Sequence, residues 1–338
     1  MAPRILNWGL MGTARINASL FPAFGLPRGL RRAGLSQRCR LLAVASRTEE
    51  RARAYAAEWK IGRAWGSYQA LLRDPEIDVI YVPLPNGLHA RWAIAAADAG
   101  KHVLCEKPLA VSVEEVDAIV AAARRNGVIV SEALMYRHHP QTLKVEELVR
   151  SGAIGNVRYL QGAFTFNLRQ GGDVRLDPAL GGGSIWDVGC YPISYMRTVL
   201  GAEPLEVAGW QTTGSTGIDM GFSGQMRFPG DVYGQFVCGF DAAERQLMEI
   251  AGEDGTLHVP DPFTPEGKRS IVLNRPGAPP QQVEIPEYDL YLGEIEDMAD
   301  AVLLGKEPRV TLTDSRNNVA AIRALLESSR LGRPVAVS

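Results

Sequence analysis

Ile5-Leu6-Asn7-Trp8-Gly9-Leu10-Met11-Gly12-Thr13-Ala14-Arg15-Ile16 is the stretch on which the reading of the fold turns. A short apolar run over 5–8 leads into glycines at 9 and 12, and then into residues that can open a helix. Apolar strand, glycine turn and helix make the first unit of a βαβ arrangement. The same pattern continues outward from it. Residues 41–45, 79–82, 102–105 and 128–131 read as buried strands, and helices over 49–59, 90–99 and 112–125 separate them. The last helix has Ser112 and Glu115 at capping-box spacing and Gly127 as its stop. Short, evenly apolar strands alternating with helices predict a parallel sheet covered on both faces. Such a sheet holds ligands at the carboxyl ends of its strands, where the strand order reverses. That directs attention to residues 9–16, 46–47, 83–89 and 105–108.

The second half changes character. Strand-like runs follow one another at 157–168, 205–212, 220–228, 232–240, 247–251 and 270–273, and an amphipathic helix covers 313–331 with Asp314 near its start. Runs of strands after βα units predict a separate α+β domain. The expected division is a dinucleotide-binding domain over 1–132 and a substrate and oligomerisation domain over 133–338. An open sheet face needs a cover, so a homo-oligomer, dimer or tetramer, is expected.

Bulk properties narrow the function. The chain has 338 residues, enough for two cores, with 46% hydrophobic and 22% charged residues. Its net charge of −2 lacks the basic excess of a nucleic-acid binder. No apolar run is long enough to span a membrane and the amino terminus is no signal peptide, so a cytoplasmic protein is expected. The four cysteines, Cys39, Cys105, Cys190 and Cys238, form no CxxC pair and read as reduced thiols, with no metal site. His138 and His139 are adjacent and would face different ways on a helix, which argues against a metal pair. Arg28, Arg31, Arg32, Arg38 and Arg40 crowd the stretch 25–40, which reads as a solvated surface.

Gly9-x-x-Gly12-x-Ala14 lets the backbone turn tightly and approach a pyrophosphate, and the following helix would offer free N–H groups. It is short of a full GxGxxG. At the end of the second strand an acidic residue would hold the ribose of NAD, and an arginine would accommodate the 2′-phosphate of NADP. Here the strand ends Ala45-Ser46-Arg47, with no carboxylate before Glu49. Ser46 can hydrogen-bond a phosphate, Arg47 can pair with one, and Arg15 on the first helix lies within reach, so NADP is favoured and NAD stays open. At the end of the fourth strand, Glu106-Lys107-Pro108 puts a charged pair where burial is usual. Pro108 biases Lys107 toward an extended backbone, which would aim its amine at the cleft as a proton shuttle. Farther on, Gly181-Gly182-Gly183 enters a helix with Ser184 as its expected cap. On that helix Asp187 and Tyr191 stand four apart and so would share a face. Tyr136 and the tryptophans could line a sugar pocket, and core packing explains them equally well.

These residues together resemble the glucose-fructose oxidoreductase / inositol dehydrogenase / MocA family. The likeness rests on 9–16, on Ala45-Ser46-Arg47, on Val82-Pro83-Leu84-Pro85-Asn86-Gly87-Leu88-His89, on Glu106-Lys107-Pro108 and on 181–191. Glu132-Ala-Leu-Met-Tyr-Arg-His-His-Pro140 and Tyr191 point to its sugar dehydrogenase, dihydrodiol dehydrogenase and ketosugar reductase branch. The resemblance implies an N-terminal Rossmann domain, a C-terminal domain with a large open, mostly antiparallel sheet, and NAD(P) across the strand ends. It implies cofactor contacts from Gly9, Gly12, Thr13, Ala14, Arg15, Ile16, Ser46, Arg47, Leu84, Pro85, Asn86, His89, Glu106, Lys107 and, less directly, Arg175. It further implies a reacting centre of Lys107, Tyr191 and Asp187, and reversible hydride transfer at a carbon of a sugar-like small molecule. The alternatives left open are a nicotinamide-assisted glycosidase and a non-enzymatic NADP sensor.

Overall fold

The computed structural model describes residues 4–26, 35–169 and 172–337. In chain order the elements begin β1 (Leu6–Met11), α1 (Asn17–Leu20), β2 (Cys39–Ala45), α2 (Glu49–Trp59), β3 (Arg63–Trp65), α3 (Tyr68–Leu72) and β4 (Val79–Val82). They continue with α4 (His89–Asp98), β5 (His102–Glu106), α5 (Val113–Asn126), β6 (Val130–Ala133), α6 (Pro140–Arg150), β7 (Val157–Asn167) and α7 (Cys190–Leu200). After these come β8 (Glu206–Thr213), β9 (Asp219–Phe228), β10 (Val232–Gly239), β11 (Asp241–Gly252), β12 (Thr256–Pro260), β13 (Arg269–Asn274) and β14 (Gln281–Ile285). The chain closes with α8 (Leu292–Leu304), α9 (Leu312–Leu331) and β15 (Val335–Ala336).

Two compact units result. One holds the chain up to Met135 together with Asp289–Arg316, and the other holds Tyr136–Tyr288 and the chain from Asn317 onward. The amino-terminal break falls close to the boundary expected at 132/133. The return of Asp289–Arg316 to the first unit has no local signal in the sequence.

In the first unit six strands, all parallel, run in the order β3-β2-β1-β4-β5-β6. The order reverses between β1 and β4, which is the doubly wound arrangement with its ligand crevice at that switch point. Local chemistry sets the helices. Thr48 accepts the Arg51 N–H to cap α2, whose first turn carries Glu49 and Glu50. Ser112 caps α5 through the Glu115 N–H, while Glu115 bonds the N–H of Val111, one residue earlier than a strict capping box. Arg38 reaches α8 through Glu296 and Asp300, and Arg40 bonds the Asn7 side chain. Arg38, half-buried, is therefore a strut within the fold, Arg40 is exposed as a solvated surface requires, and Arg28, Arg31 and Arg32 lie outside the described residues.

The second unit is a nine-stranded sheet in the order β14-β13-β12-β11-β7-β10-β9-β8-β15, antiparallel except where β7 meets β10. Its strands alternate buried and exposed positions, as a sheet with one covered face must. Tyr159, Trp210, Tyr233 and Val237 stay exposed. Among the described residues no helix is long and apolar enough to cross a membrane, no His/Cys/Asp/Glu group could hold a metal ion, and all four cysteines are free and buried.

Candidate active site

In the first unit the expected residues gather at the carboxyl ends of the parallel strands, with two corrections. Gly9 is not part of the turn. It lies inside β1, where a Cβ would meet Leu71 Cδ1 at 2.9 Å, so it is a glycine because a helix packs on it. Nor does the turn open directly into a helix: α1 starts only at Asn17 and is one turn long. The turn is Gly12 to Ile16. Gly12 has φ +117, a conformation open to glycine, and a side chain there would press on Leu84 Cδ2 at 3.2 Å. Its N–H bonds the Ala45 carbonyl at 2.9 Å and its carbonyl accepts from the buried Asn17 amide at 2.9 Å. The turn is thereby tied to the end of β2, and Thr13, Ala14, Arg15 and Ile16 remain partly or fully exposed.

At the end of β2, Ser46 is buried with its N–H on the Trp65 carbonyl, and Arg47 is exposed. Glu49, the first carboxylate, pairs with Arg53 along α2. No acid therefore occupies the ribose position. Two neighbours escaped the sequence reading. Arg51 donates to Thr13 Oγ1 at 2.8 Å, joining α2 to the glycine turn. Tyr68 is near enough to feel the positive charges of Arg47 and Arg51, although burial, the larger effect, raises its phenol. Arg47 precedes α2, so helical spacing offered no signal for Arg51.

Leu84, Pro85 and Asn86 follow β4 and are half-buried. His89 is a correction: it is fully buried, with Nδ1 2.7 Å from the Pro108 carbonyl and Nε2 2.6 Å from the Leu84 carbonyl. It braces the loops after β4 and β5 instead of presenting itself to a ligand. Burial lowers its pKa, against the pull of the two carbonyls. Since a carbonyl only accepts, a neutral ring satisfies one of them as donor.

Glu106 and Lys107 are half-buried at the end of β5, and the Lys107–Pro108 peptide is cis, which nothing in the sequence announces. The buried Tyr81 hydroxyl donates to Glu106 Oε1, and Glu132 accepts the Leu109 N–H at 3.0 Å. Both ends of the lysine turn are thus held by side chains from neighbouring strands.

In the second unit Asp187 belongs to a π-helical turn, Ile185–Gly189, and Tyr191 to α7, which follows without a break. The i, i+4 argument assumed α-helical winding, whereas a π turn closes at i+5. Arg175 was expected against cofactor or substrate. Here its Nε donates to Asp187 Oδ2 at 2.7 Å and its Nη1 lies 3.3 Å from Asp173, and the Asp187 charge holds its pKa up. Tyr191 is 5% exposed, with ring centroids 5.4 to 5.8 Å from those of Phe164, Phe263 and Tyr136. Tyr136 itself is fully buried and bonds Ser194, so it is core and not pocket lining. Trp8, Trp92 and Trp186 are buried as well. Ser184 does not cap the helix with its own side chain; Asp219 of β9 takes that place. His139 caps α6 through Nδ1, which accepts the Gln141 N–H, and is buried.

A model of the oxidoreductase family with NAD-binding Rossmann fold matches residues 6–134, and a model of the GFO/IDH/MocA C-terminal domain matches 142–258. The chain belongs to the GFO/IDH/MocA oxidoreductase family. Among its relatives, a D-xylose 1-dehydrogenase (NADP(+)) of Haloferax volcanii is 38% identical over 98% of this chain and 99% of its own. A dTDP-3,4-didehydro-2,6-dideoxy-alpha-D-glucose 3-reductase of Streptomyces violaceoruber is 34% identical over 88% and 86% of the two chains. The crystal structure of a 3-ketoreductase from Actinomadura kijaniata with NADP and TDP-benzene superposes with a TM-score of 0.88 at 29% identity, covering 96% of this chain and 98% of that one.

Proposed function

We propose that this member of the family is an NADP-dependent dehydrogenase or reductase that works reversibly on a hydroxyl or carbonyl carbon of a sugar or sugar derivative. The observation that carries the reading is Lys107, half-buried at the end of β5 on the same edge of the sheet as the Gly12 turn and Ser46-Arg47. The cofactor fits what is there. The Gly12 turn leaves room for close backbone approach, and Arg47 with no acid beside it suits a 2′-phosphate. Relatives named for NADP-dependent xylose oxidation and for ketosugar reduction support the sugar class.

When bound, the nicotinamide supplies or accepts the hydride. The chain's part is to orient the substrate and manage one proton. In the reducing direction Tyr191 gives its phenolic proton to the new alkoxide; in oxidation it takes the hydroxyl proton. Lys107 is proposed to support that transfer with its charge, and Asp187, fixed by Arg175, to orient a substrate hydroxyl.

The test is nicotinamide absorbance with aldoses, inositols and ketosugars, using NADP(H) and NAD(H) separately. Turnover with one sugar class, faster with NADP(H) and reduced about a hundredfold in Tyr191→Phe, is the expected result. Release of a glycosidic leaving group with no net cofactor reduction would mean a glycosidase instead. Tight NADPH binding with silence across the panel would mean a sensor.

The exposed Tyr159, Trp210, Tyr233 and Val237 support assembly of a homo-oligomer through the outer sheet face. Sedimentation should give a dimer or tetramer that Tyr233→Lys weakens; a monomer at micromolar concentration sinks that part. The four buried free thiols suit a cytoplasmic setting.

A further inference from the structure

We propose that Asp219 is a positioning residue for this reaction: its carboxylate pins the start of the π turn that carries Asp187 and leads into the helix of Tyr191. The inference rests on the reading of Asp187 and Tyr191 given above.

Three consecutive residues are fitted to this one side chain. Asp219 opens β9 and is 4% exposed. Its Oδ2 accepts the Ser184 hydroxyl at 2.6 Å and the Ile185 N–H at 2.7 Å. Its Oδ1 sits against Gly183, whose φ is +128 and where a side chain would strike that oxygen. Ser184 is itself in helical conformation and makes no side-chain cap, so the first bond of the segment comes from another strand. From Ser184 the chain winds through the π turn into α7 without interruption, and Gly189 packs on Cys238 of β10, where a Cβ would lie 2.9 Å from the sulfur. The segment with Asp187 and Tyr191 is thus held at its start by β9 and along its length by β10.

A neutral Asn or Ser could cap a helix without this cost. A buried carboxylate is expensive, and burial pushes Asp219 up to about 6, with the Ser184 and Ile185 bonds pulling the other way. The titratable group that faces it is Cys238 on β10, which in turn lies near Cys190 and Asp187 of the pinned segment. The raised pKa means the fold favours the protonated acid, so ionisation works against stability as pH rises from 3.8 through about 6. A carboxylate that weakens the fold at neutral pH and grips a functional segment is a cost attached to function. A charged acceptor makes the stronger hydrogen bonds, and it faces the positive end of the helical segment.

Asp219→Asn, which keeps shape and removes charge, separates the two roles. The expected variant melts at pH 7.5 no lower than wild type, keeps its KM for NADP, loses about tenfold in kcat, and lacks the wild-type fall in kcat on acidification through about pH 6. Hydrogen exchange gives a readout independent of turnover. Amides 185–191 should exchange faster in the variant. In wild type, local openings that break the Ser184 and Ile185 bonds while Asp219 stays buried should be more frequent at pH 5 than at pH 7.5, because those bonds favour the carboxylate, so these amides should exchange faster at pH 5 once intrinsic pH effects are removed. Wild-type kcat with wild-type protection in a folded Asp219→Asn overturns the proposal. So does protection that is indifferent to pH in wild type, a measurement that needs no variant. If Tyr191→Phe kept full activity, the proposed function of Tyr191 would fall, while the exchange data would still decide whether Asp219 pins the turn.

Discussion

Lys107→Ala is expected to lower kcat/KM by about a thousandfold, within the range that one positioned charge-stabilising group contributes. The lysine stands at the end of β5 with its neighbours already fixed: Glu106 takes the Tyr81 hydroxyl, and the Pro108 carbonyl rests on His89. The turn is therefore shaped by residues other than Lys107, and removing a half-buried side chain should cost roughly 1 kcal/mol of stability or less. NADPH binding, followed by fluorescence, should survive within a few-fold, since the Gly12 turn and Ser46-Arg47 are intact. Lys107→Arg should not restore activity, because a guanidinium keeps the charge but spreads it over a planar fork where a compact ammonium is needed. Turnover of the alanine variant within a few-fold of wild type would remove Lys107 from the chemistry and with it the main support for a dehydrogenase.

Glu294→Gln is expected to make the protein more stable, by an amount that grows with pH. Glu294 lies in α8, 1% exposed, and neither carboxyl oxygen has a hydrogen-bond partner among the described residues. Burial, and then the negative charges of Glu106, Asp289 and Asp297, raise its pKa well above the ordinary 4.5. The side chain therefore stays protonated in the fold. The same crowding keeps the Tyr81 phenol protonated, burial again acting first, so that it can donate to Glu106. The unfolded chain releases the Glu294 proton above pH 4.5, so unfolding gains about 1.4 kcal/mol per pH unit beyond that point until the folded acid also ionises. Glutamine has the shape of the neutral acid and carries no such slope. Urea unfolding at pH 6, 7 and 8 should show the gap between variant and wild type widening; a constant gap would mean that Glu294 is already ionised in the fold.

The elements readable from the sequence are those whose signals are local. Val79–Val82 and Glu49–Trp59 match their expected bounds, because an unbroken run of β-branched and aromatic residues and a capped, alanine-rich helix carry their own instructions. Arg63–Trp65 and Tyr68–Leu72 passed unseen, being too short to show a period. The first half of β11, Asp241 to Gln246, lacks an apolar pattern and is a strand because Asp241, Arg245 and Gln246 pair with β7 around an irregularity. Leu292–Leu304 has Tyr291 at its N-cap, with Asp289 accepting the first N–H groups from outside the usual cap position, which hid it, and its burial in the first unit is a property of the packed whole.

The candidate site divides in the same way. Residue type and position after a strand were enough to single out Gly12, Ser46, Arg47 and Lys107, since in a parallel sheet the ends of strands are where ligands meet backbone. Gly9 and His89 were misplaced because a sequence does not show which side of a turn faces the interior. Asp219, Arg51 and Glu294 could not be found that way at all: each acts through a partner 34, 38 or some 190 residues away. Periodicity tells a side chain which face of its own element it lies on. Which group waits on the other side is decided when the strands pair and the helices pack, and that step sets Asp219 against the π turn and Glu294 among the acids beneath the lysine turn.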